Sequence, residues 1–293
     1  MKSIFKKSFC FVVLLVMSLV LSSCNNGEGG KDNASNIKVY GGDIIRYSLC
    51  IDENDSIGVS CPIITNKKVK NISLSGFVSD KNEDISVKVK GISLNEIDSY
   101  NGYYVHFARL DLSCQKYDKA VDLKISKLFF DIDGKTFEYN TPYFEVKNTF
   151  YYYENYNCLP NIRCIKISGG FTGLYSSLPN ESRKADLTIT SSEDVVLKSY
   201  SLTNYLTVGA FEIDKKAYNS NEINLGLKSG EEVTLEYALS ANENVYEDCI
   251  IKTSMVTIYE YEGKDYLWLY TPGIYVWKDY SSFDNIKRYI DKL

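Results

Sequence analysis

Histidine, the side chain that most often binds metals or moves protons near neutral pH, occurs once in this sequence. A zinc site built on several histidines is therefore excluded, and a Ser-His-Asp triad would depend on His106 alone. No G-x-S-x-G elbow is present to expose a serine nucleophile. His106 lies in the strand-like, apolar stretch 103–109, so we predict a strand residue whose ring nitrogens are hydrogen-bonded.

Phosphate-binding motifs are also absent from the sequence. It contains no GxxxxGK[ST] loop and no GxGxxG fingerprint, and the Gly-Gly-Phe-Thr-Gly run at 169–173 lacks the lysine and a following helical pattern. This run is predicted to be a turn, and no cofactor is indicated.

Carboxylates are numerous, but counting them does not identify a catalytic pair, because such a pair depends on spatial separation. A carboxylate-dependent hydrolase of an envelope or extracellular polymer therefore stays open as the alternative function. The acidic runs 52–55 and 131–134 contain ligand types suited to calcium, although 131–134 lacks the EF-hand spacing. We predict solvated turns at both runs and no metal site, with a calcium-stiffened loop as the alternative.

Six cysteines remain beyond Cys10 and Cys24: Cys50, Cys61, Cys114, Cys158, Cys164 and Cys249. No CxxC pair occurs, so neither a zinc ribbon nor a thioredoxin-type site is indicated. Outside the cytoplasm an even number of cysteines suggests disulfides. Cys158 and Cys164 bracket five residues and are the candidate pair for a small closed loop, whereas buried thiols are the alternative for all six.

Aromatic side chains are the remaining candidates for contact with a ligand. Tyrosines crowd the stretch 150–156, which is interpreted as a strand with alternate rings exposed. Tyr151, Tyr153, Trp268 and Trp277 are therefore the candidate residues for stacking on sugar rings or anchoring a protein partner. The alternative is that these rings pack a domain junction and a hairpin.

The segments that would position these residues carry an apolar side chain at every second position. Alternating apolar residues occur at 57–63, 85–89, 233–237 and, over a longer run, at 251–261. Strict alternation predicts strands that place one face on a core, and no long helical period precedes the C-terminus. The chain is therefore predicted to be all-β and antiparallel.

Two hairpins are predicted from their turn residues. Asp133-Gly134 and Glu262-Gly263 each stand between apolar runs, and glycine supplies the positive φ that a tight primed turn needs. Each acid-Gly pair is followed by lysine and, soon after, by Thr-Pro, with nearly the same spacing in the two halves. A duplication accounts for this similarity, and so does convergence, because hairpins share these residues.

A duplication divides the body into a first domain at 37–147 and a second at 148–293. Each has the size of an immunoglobulin-like β-sandwich, although the Cys-Trp-Cys hallmark of true immunoglobulin domains is absent. At the C-terminus Phe283, Ile286, Tyr289, Ile290 and Leu293 share one helical face. Ser281 and Asp284 form a capping box ahead of it, which predicts a short amphipathic helix at a sandwich edge.

The N-terminus carries a separate pattern. Three lysines at positions 2, 6 and 7 precede an apolar run at 9–21, which is too short for a bilayer core of about 30 Å. Such a run, followed by small residues, indicates a cleaved signal rather than a spanning helix. The sequence then reads Leu21-Ser22-Ser23-Cys24, and residues 25–36 contain nothing able to build a core.

This segment resembles the lipobox of bacterial lipoproteins. The resemblance implies a signal peptide at 1–23, an acylated cysteine at Cys24 and a flexible tether at 24–36. Diacylglycerol and further acyl chains such as palmitate would then hold the protein at a membrane. Asn25 stands where aspartate would signal inner-membrane retention, which favours the outer membrane of a diderm host. In a monoderm host the protein would lie on the outer face of the cell membrane.

The net charge of the body narrows the classes of partner that it could bind. Without the three N-terminal lysines, 30 basic residues face 38 acidic ones, a net charge near −8. This balance disfavours nucleic acid as a partner, because nucleic-acid binding needs a basic face. We therefore predict a non-enzymatic lipoprotein that binds or scaffolds at the cell envelope, with a glycan or an envelope protein as ligand.

Overall fold

A computed structural model describes residues 36–52, 55–81, 85–114, 119–168, 183–213, 216–220, 222–242, 245, 248–270 and 282–293. At 85–98, 183–186, 209–211, 237–241, 270 and 282 only the backbone is described. Residues Ile37 to Leu293 form one compact unit. In the described part of the chain, no helix is both long and apolar enough to cross a membrane.

Strands dominate the described residues, which confirms the all-β prediction. The two α-helices are α1 (Thr149–Tyr156) and α2 (Ser282–Ile290), and a 3-10 turn spans Gly42–Ile44. The strands in chain order are β1 (Val39–Tyr40), β2 (Ile45–Ile51), β3 (Ile57–Thr65), β4 (Ile72–Ser79), β5 (Ile85–Tyr100), β6 (Tyr103–Cys114), β7 (Asp122–Ile132), β8 (Lys135–Asn140), β9 (Phe144–Asn148), β10 (Leu159–Pro160), β11 (Ile165–Ser168), β12 (Arg183–Ser191), β13 (Val195–Leu202), β14 (Leu206–Ile213), β15 (Lys216–Tyr218), β16 (Leu225–Leu227), β17 (Glu232–Ala241), β18 (Ile250–Thr253), β19 (Met255–Tyr261) and β20 (Lys264–Tyr270).

These strands form four sheets that pack in two pairs. The first pair consists of the sheet β1-β3-β6-β5 and the sheet β18-β2-β9-β7-β4, in which β8 also pairs with β7. The second pair consists of β10-β20-β19-β13-β16 and β11-β12-β17-β14-β15. Each pair encloses its own hydrophobic core, so the described chain contains two β-sandwiches.

The period-two patterns place the expected residues on these cores. In β3, Ile57, Val59, Cys61 and Ile63 are all buried, while Gly58 is half-buried and Ser60 is exposed. Burial of one face stabilises a sandwich at roughly 25 cal/mol per Å² of apolar surface removed from water. The alternation predicted the buried face of the first half of β3, whereas Pro62 and Ile64 are buried too, so the second half is enclosed on both faces.

Both predicted hairpins are confirmed. β7 and β8 are joined by Asp133-Gly134, with φ angles of 47° and 80°. β19 and β20 are joined by Glu262-Gly263, with φ angles of 49° and 71°. Two consecutive residues at positive φ define a type I′ turn, whose twist matches that of the flanking strands. Whether the two hairpins derive from a duplication stays a prediction.

Two details of the predicted sheets are wrong. The alternating run at 251–261 is not one strand, because it breaks at Ser254 and its two parts, β18 and β19, join different sandwiches. Ser254 donates its backbone N–H to Ser48 O at 3.1 Å, and its hydroxyl accepts from Cys50 N at 2.8 Å. Pairing is also not wholly antiparallel, since β2 is parallel to both β9 and β18, and β10 is parallel to β20.

The C-terminal helix is confirmed as α2. Ile286 and Ile290 are buried in the first core, and Phe283 and Tyr289 are half-buried against it, whereas Leu293 is exposed. Ser281, the proposed capping residue, lies outside the described residues. Because β18 and α2 come late in the chain and join the first sandwich, the first core draws on both halves of the sequence. The boundary at 147/148 stays a prediction.

Candidate functional site

The tyrosine-rich stretch 150–156 is a helix, so the strand predicted there is wrong. Asn148 caps α1, because its side-chain oxygen accepts a hydrogen bond from Tyr151 N at 3.1 Å. The helix ends at Asn157, which adopts a left-handed conformation with φ 51°. The intrinsic preference of tyrosine for strands is overridden by this cap and by the packing of the helix.

Each aromatic ring of α1 has a different environment. Tyr152 is 5% exposed and packs with Cys50, Cys158, Val256 and Leu267 in a small third core. Tyr151 is half-buried, and the Lys147 ammonium group lies 4.2 Å from its ring centroid. Tyr153 is half-buried on another side of the helix, edge-on to Phe150 at 5.6 Å. The three rings still meet around one cluster, because Tyr151 lies edge-to-face with Tyr152 at 5.2 Å, and Tyr151 and Tyr153 both pack against the third core.

After α1 the chain runs along the edge of the second sandwich. Leu159 and Pro160 pair in parallel with Tyr266 and Leu267 of β20. The following loop is fixed by Asn161, whose side-chain oxygen accepts from Arg163 N and from the Tyr259 hydroxyl, both at 2.8 Å. Arg163 has φ 64°, a left-handed conformation that this local hydrogen bond helps to hold.

A cavity of about 530 Å³ lies between this loop, α1 and β20. Its volume falls within the range of roughly 300–1,000 Å³ that is usual for small-molecule sites. We call it the aromatic cavity, because Tyr153 and Trp268 both line it. The complete lining is Asp52, Thr149, Tyr153, Pro160, Asn161, Arg163, Leu267, Trp268 and Leu269.

Two buried polar atoms belong to residues that line the aromatic cavity. The Thr149 hydroxyl and the Trp268 indole nitrogen have no hydrogen-bond partner among the described residues. Thr149 is 1% exposed and Trp268 is half-buried. Unpartnered buried polar atoms are uncommon in proteins, and the described chain has others away from this cavity, at Ser48, His106 and Thr257.

A second cavity of about 300 Å³ shares Asp52 and Leu269 with the aromatic cavity. We call it the lysine cavity. Lys252 lies in it and donates to Gly58 O at 2.5 Å, and burial, with a contribution from the nearby Arg109, lowers the pKa of its ammonium group. Cys50 also lines this cavity, and burial raises the pKa of its thiol well above the ordinary value, which favours the thiol over the thiolate.

Exposed apolar side chains concentrate beside the aromatic cavity. Tyr156, Leu159 and Ile162 are 55%, 42% and 48% exposed, and they belong to the same segment, 149–163, that supplies much of the cavity wall. Among the described residues, the other large apolar side chains with comparable exposure are Val78 and Leu293. Concentrated apolar exposure typically marks an interaction site.

The structure thus brings together two of the aromatic residues predicted to contact a ligand. Tyr153 and Trp268 share a cavity, while Tyr151 contacts Lys147 and is not part of its lining. Trp277 and the predicted lipidation site Cys24 lie outside the described residues. A flat exposed strip of aromatic rings is not found among the described residues, and the aromatic groups line a concave site instead.

The cysteines and the acidic turns have structural roles. All six body cysteines are buried as thiols, so the predicted Cys158–Cys164 disulfide is not formed. Cys158 packs in the third core and Cys164 in the second, which directs the two thiols to different environments.

In the acidic turn at 131–134, the Asp133 carboxylate accepts hydrogen bonds from the backbone N–H groups of Lys70 and Asn71 at 2.9–3.2 Å.

Among the described residues, no group of three or more His, Cys, Asp or Glu side chains is placed to hold a metal ion. His106 does lie in a strand, β6, but its two buried ring nitrogens have no partner among the described residues, so the predicted hydrogen bonding is not found there. β6 pairs this residue with Ile63 of the apolar strand β3, which offers the imidazole no polar side chain.

The sequence did not identify Asn161, Arg163 and Lys252 as site residues. The loop residues had a local sign, because Pro160-Asn161 is turn chemistry bracketed by two cysteines. No local pattern pointed to Lys252, because a lysine in an alternating strand usually lies on the solvated face. Its burial follows from the pairing of β18 with β2, which only the fold reveals.

No protein-family model matches the chain, and no curated protein is found to be similar to it. A solved protein of unknown function from Porphyromonas gingivalis W83 is 14% identical, with 80% of this chain and 99% of that chain covered and a TM-score of 0.23. Domains 5–6 of the S-layer protein SbsC are 12% identical (84% and 98% covered, TM-score 0.21). The CupB6 tip adhesin from Pseudomonas aeruginosa is 10% identical (82% and 99% covered, TM-score 0.25). TM-scores this low carry no argument about function.

Proposed function

We propose that this chain is a lipid-anchored extracytoplasmic protein that binds a ligand, without catalysis, at the segment 149–163 and its adjoining cavities. The observation that carries the proposal is the coincidence of a concave site with exposed apolar side chains in one short segment. Tyr153 and Trp268 line the aromatic cavity, and Tyr156, Leu159 and Ile162 expose apolar surface beside it in the chain.

Energetics explain why this coincidence supports binding. Exposed large apolar side chains gain nothing for folding, and burying one against a partner contributes about 1.5–3 kcal/mol. Aromatic residues in a central pocket, surrounded by apolar contacts that exclude water, form the usual energetic centre of an interface. An envelope protein or a glycan is the ligand class that the location implies.

The carboxylates near the cavities favour binding over hydrolysis. A glycosidase pair must flank the scissile bond from two sides. Asp52 and Asp55 both line the lysine cavity, but they belong to one turn, in which Asp55 N donates to Asp52 O at 3.2 Å. Asp55 also accepts from Ser56 N at 2.7 Å. The described residues therefore offer no opposed carboxylates at this site, and the hydrolase is the weaker proposal.

The anchor is proposed on the sequence alone. The lysines, the short apolar run, the small residues and Cys24 together match a lipoprotein precursor, and residues 25–36 have the composition of a flexible linker. A net charge near −8 suits a soluble body held at a surface. We propose outer-membrane placement in a diderm host and the outer face of the cell membrane in a monoderm host.

Metabolic labelling with an alkyne-bearing palmitate analogue tests the anchor. We expect the label on the wild-type protein and none on Cys24→Ala, which should also leave the membrane fraction or accumulate uncut. A matched Cys10→Ala variant should label normally, because that cysteine lies within the proposed signal peptide. Labelling of Cys24→Ala at the wild-type level would refute lipidation at this residue.

Affinity capture from intact cells tests the binding segment. We expect that a cross-linked partner or polymer is recovered with the wild-type protein and is lost with the double variant Leu159→Asp/Ile162→Asp. Val78→Asp is the control, because Val78 is another exposed apolar residue, at 38% exposure, in the first sandwich. Equal capture by the double variant and the wild type would refute the proposal for this segment.

A further inference from the structure

We propose that the aromatic cavity binds a neutral oligosaccharide, with Tyr153 and Trp268 packing against sugar rings and Asp52, Asn161 and Arg163 hydrogen-bonding their hydroxyl groups. This inference rests on the proposed function and deepens it, since it names the chemical class of the ligand.

The two aromatic residues supply apolar surface of the kind that a sugar ring needs. A pyranose presents C–H groups on its faces and hydroxyl groups around its edge, so it packs an apolar face against an aromatic ring. Tyr153 and Trp268 are both half-buried and both line the cavity, and Trp268 also packs against the second core. They come from different elements, α1 and β20, and thus form different parts of the wall.

The polar residues in the same cavity supply both hydrogen-bond donors and hydrogen-bond acceptors. Among the described residues Arg163 forms a backbone hydrogen bond to Asn161, and its exposed guanidinium group has no ion pair or hydrogen bond, so its donors are available. The oxygen of Asn161 is used by Arg163 N and Tyr259, which leaves its NH₂ group as a donor. Asp52 contributes carboxylate oxygens as acceptors. Hydroxyl groups, which donate and accept, match this mixture.

Charge decides between neutral and ionic ligands. An anion in the aromatic cavity would meet the Asp52 carboxylate, and a cation would meet the Arg163 guanidinium. Beyond the cavity, the acidic body repels anions at long range. A polyol carries no charge and can hydrogen-bond to both groups, so a neutral sugar avoids the repulsion that an ion of either sign would meet from one of them.

The lysine cavity argues for a chain of sugars rather than a single one. It shares Asp52 and Leu269 with the aromatic cavity, so these cavities of about 300 and 530 Å³ are neighbours. Lys252, whose ammonium group donates to Gly58 O, provides one further donor in this extension. A ligand of several linked rings would occupy both cavities, with Leu269 between them.

The test measures binding of defined oligosaccharides to the full-length protein purified in detergent. The probes are neutral gluco-, manno- and N-acetylglucosamine oligomers of four to six sugars, an acidic oligogalacturonate and a basic chitosan oligomer. Titration calorimetry follows an initial array screen. We expect binding to at least one neutral oligomer and no measurable binding to its charged counterparts.

Variants localise the binding. Arg163→Asn removes the guanidinium group while keeping a residue type that tolerates positive φ, and we expect an affinity loss of about tenfold or more. Trp268→Ala should abolish binding, and Trp268→Phe, which retains an aromatic face, should restore part of it. Lys166→Asn is the charge-matched control, because Lys166 is exposed on the neighbouring strand β11 and does not line the cavity; its affinity should stay within about twofold.

Three results would overturn the inference. They are the absence of binding to every neutral oligomer, binding to the charged oligomers alone, and unchanged affinity in Arg163→Asn. Because Arg163 is exposed, Arg163→Asn remains informative even where Trp268→Ala does not fold. Capture of a protein partner that requires Leu159 and Ile162, without any oligosaccharide binding, would refute the glycan inference and leave the proposed function intact.

Discussion

Replacing His106 with leucine is expected to stabilise the body, and increasingly so as the pH falls. The imidazole is 6% exposed, and neither ring nitrogen has a partner among the described residues. Leaving a buried donor or acceptor unsatisfied costs about 1–3 kcal/mol, whereas an apolar side chain of similar volume carries no such cost. We therefore expect His106→Leu to gain about 1–3 kcal/mol of unfolding free energy at about pH 8.

The pH dependence of this gain follows from titration. Burial lowers the pKa of His106 in the folded protein below its ordinary value of about 6.5. Between these two pKa values the unfolded chain binds more protons than the folded one, so wild-type stability is highest above pH ~6.5 and falls as the pH drops through it. The fall is at most about 1.4 kcal/mol per pH unit and stops below the folded-state pKa.

Urea unfolding of the compact body, residues 37–293, followed by fluorescence at about pH 8 and about pH 5.5, measures both effects. The sequence contains a single histidine, so the difference between wild type and variant in this pH range reports His106. His106→Gln is the matched control, since it removes the titration but keeps a buried polar group. Relative to the wild type it should show the same pH dependence as His106→Leu, but no gain in stability at about pH 8.

Two outcomes would contradict this reasoning. If His106→Leu is less stable than the wild type at about pH 8, the imidazole contributes a favourable interaction, and its nitrogens are not costly. If the stability difference between wild type and His106→Leu is the same at both pH values, the folded-state pKa is not lowered by burial.

Three further predictions concern folding and thiol chemistry. Gly42→Ala should destabilise the body by at least about 3 kcal/mol in urea unfolding, because the added Cβ would lie 1.9 Å from the carbonyl oxygen of Asn140. The control is Gly226→Ala, whose Cβ would have no neighbour within 4 Å and should change stability by less than about 0.5 kcal/mol. Asn148→Ala should lower the unfolding free energy by about 2–4 kcal/mol in the same assay, because it removes the α1 cap and the acceptor of the buried Val121 N–H, which is bonded at 2.9 Å. An unchanged unfolding midpoint would contradict this prediction. Cys158 and Cys164 should both be alkylated in urea without reductant, and a mass spectrum that shows a bridged peptide would disprove the thiol state.

The features predicted correctly from the sequence are those determined by near neighbours. Asp133-Gly134 and Glu262-Gly263 form type I′ turns because the backbone conformation is set within two residues. The alternation in β3 gave the buried face for a similar reason, since successive side chains in any extended strand point to opposite sides. The face of α2 that carries Ile286 and Ile290 followed from helical spacing.

The predictions that were wrong depended on distant contacts. The alternation across 251–261 does not reveal that Ser254 passes the chain from one sandwich to the other, because the hydrogen bonds that hold this crossing come from Ser48 and Cys50 in β2. Likewise, the stretch 150–156 forms a helix because Tyr152 is buried against residues of β2 and the β19–β20 hairpin. Tyrosine preference alone favoured a strand there.

The alternating faces and the two turns could be predicted without the fold, because they depend on chain stereochemistry over a few residues. The lipobox at Cys24 also belongs to the sequence, and the anchor inferred from it stays a prediction. The tertiary structure decided that Tyr153 and Trp268 share a cavity with Asp52 and Arg163, residues of separate segments. Parallel pairing of β10 with β20 brings the loop that carries Arg163 next to β20, and it joins residues far apart in the chain, which no local residue pattern specifies.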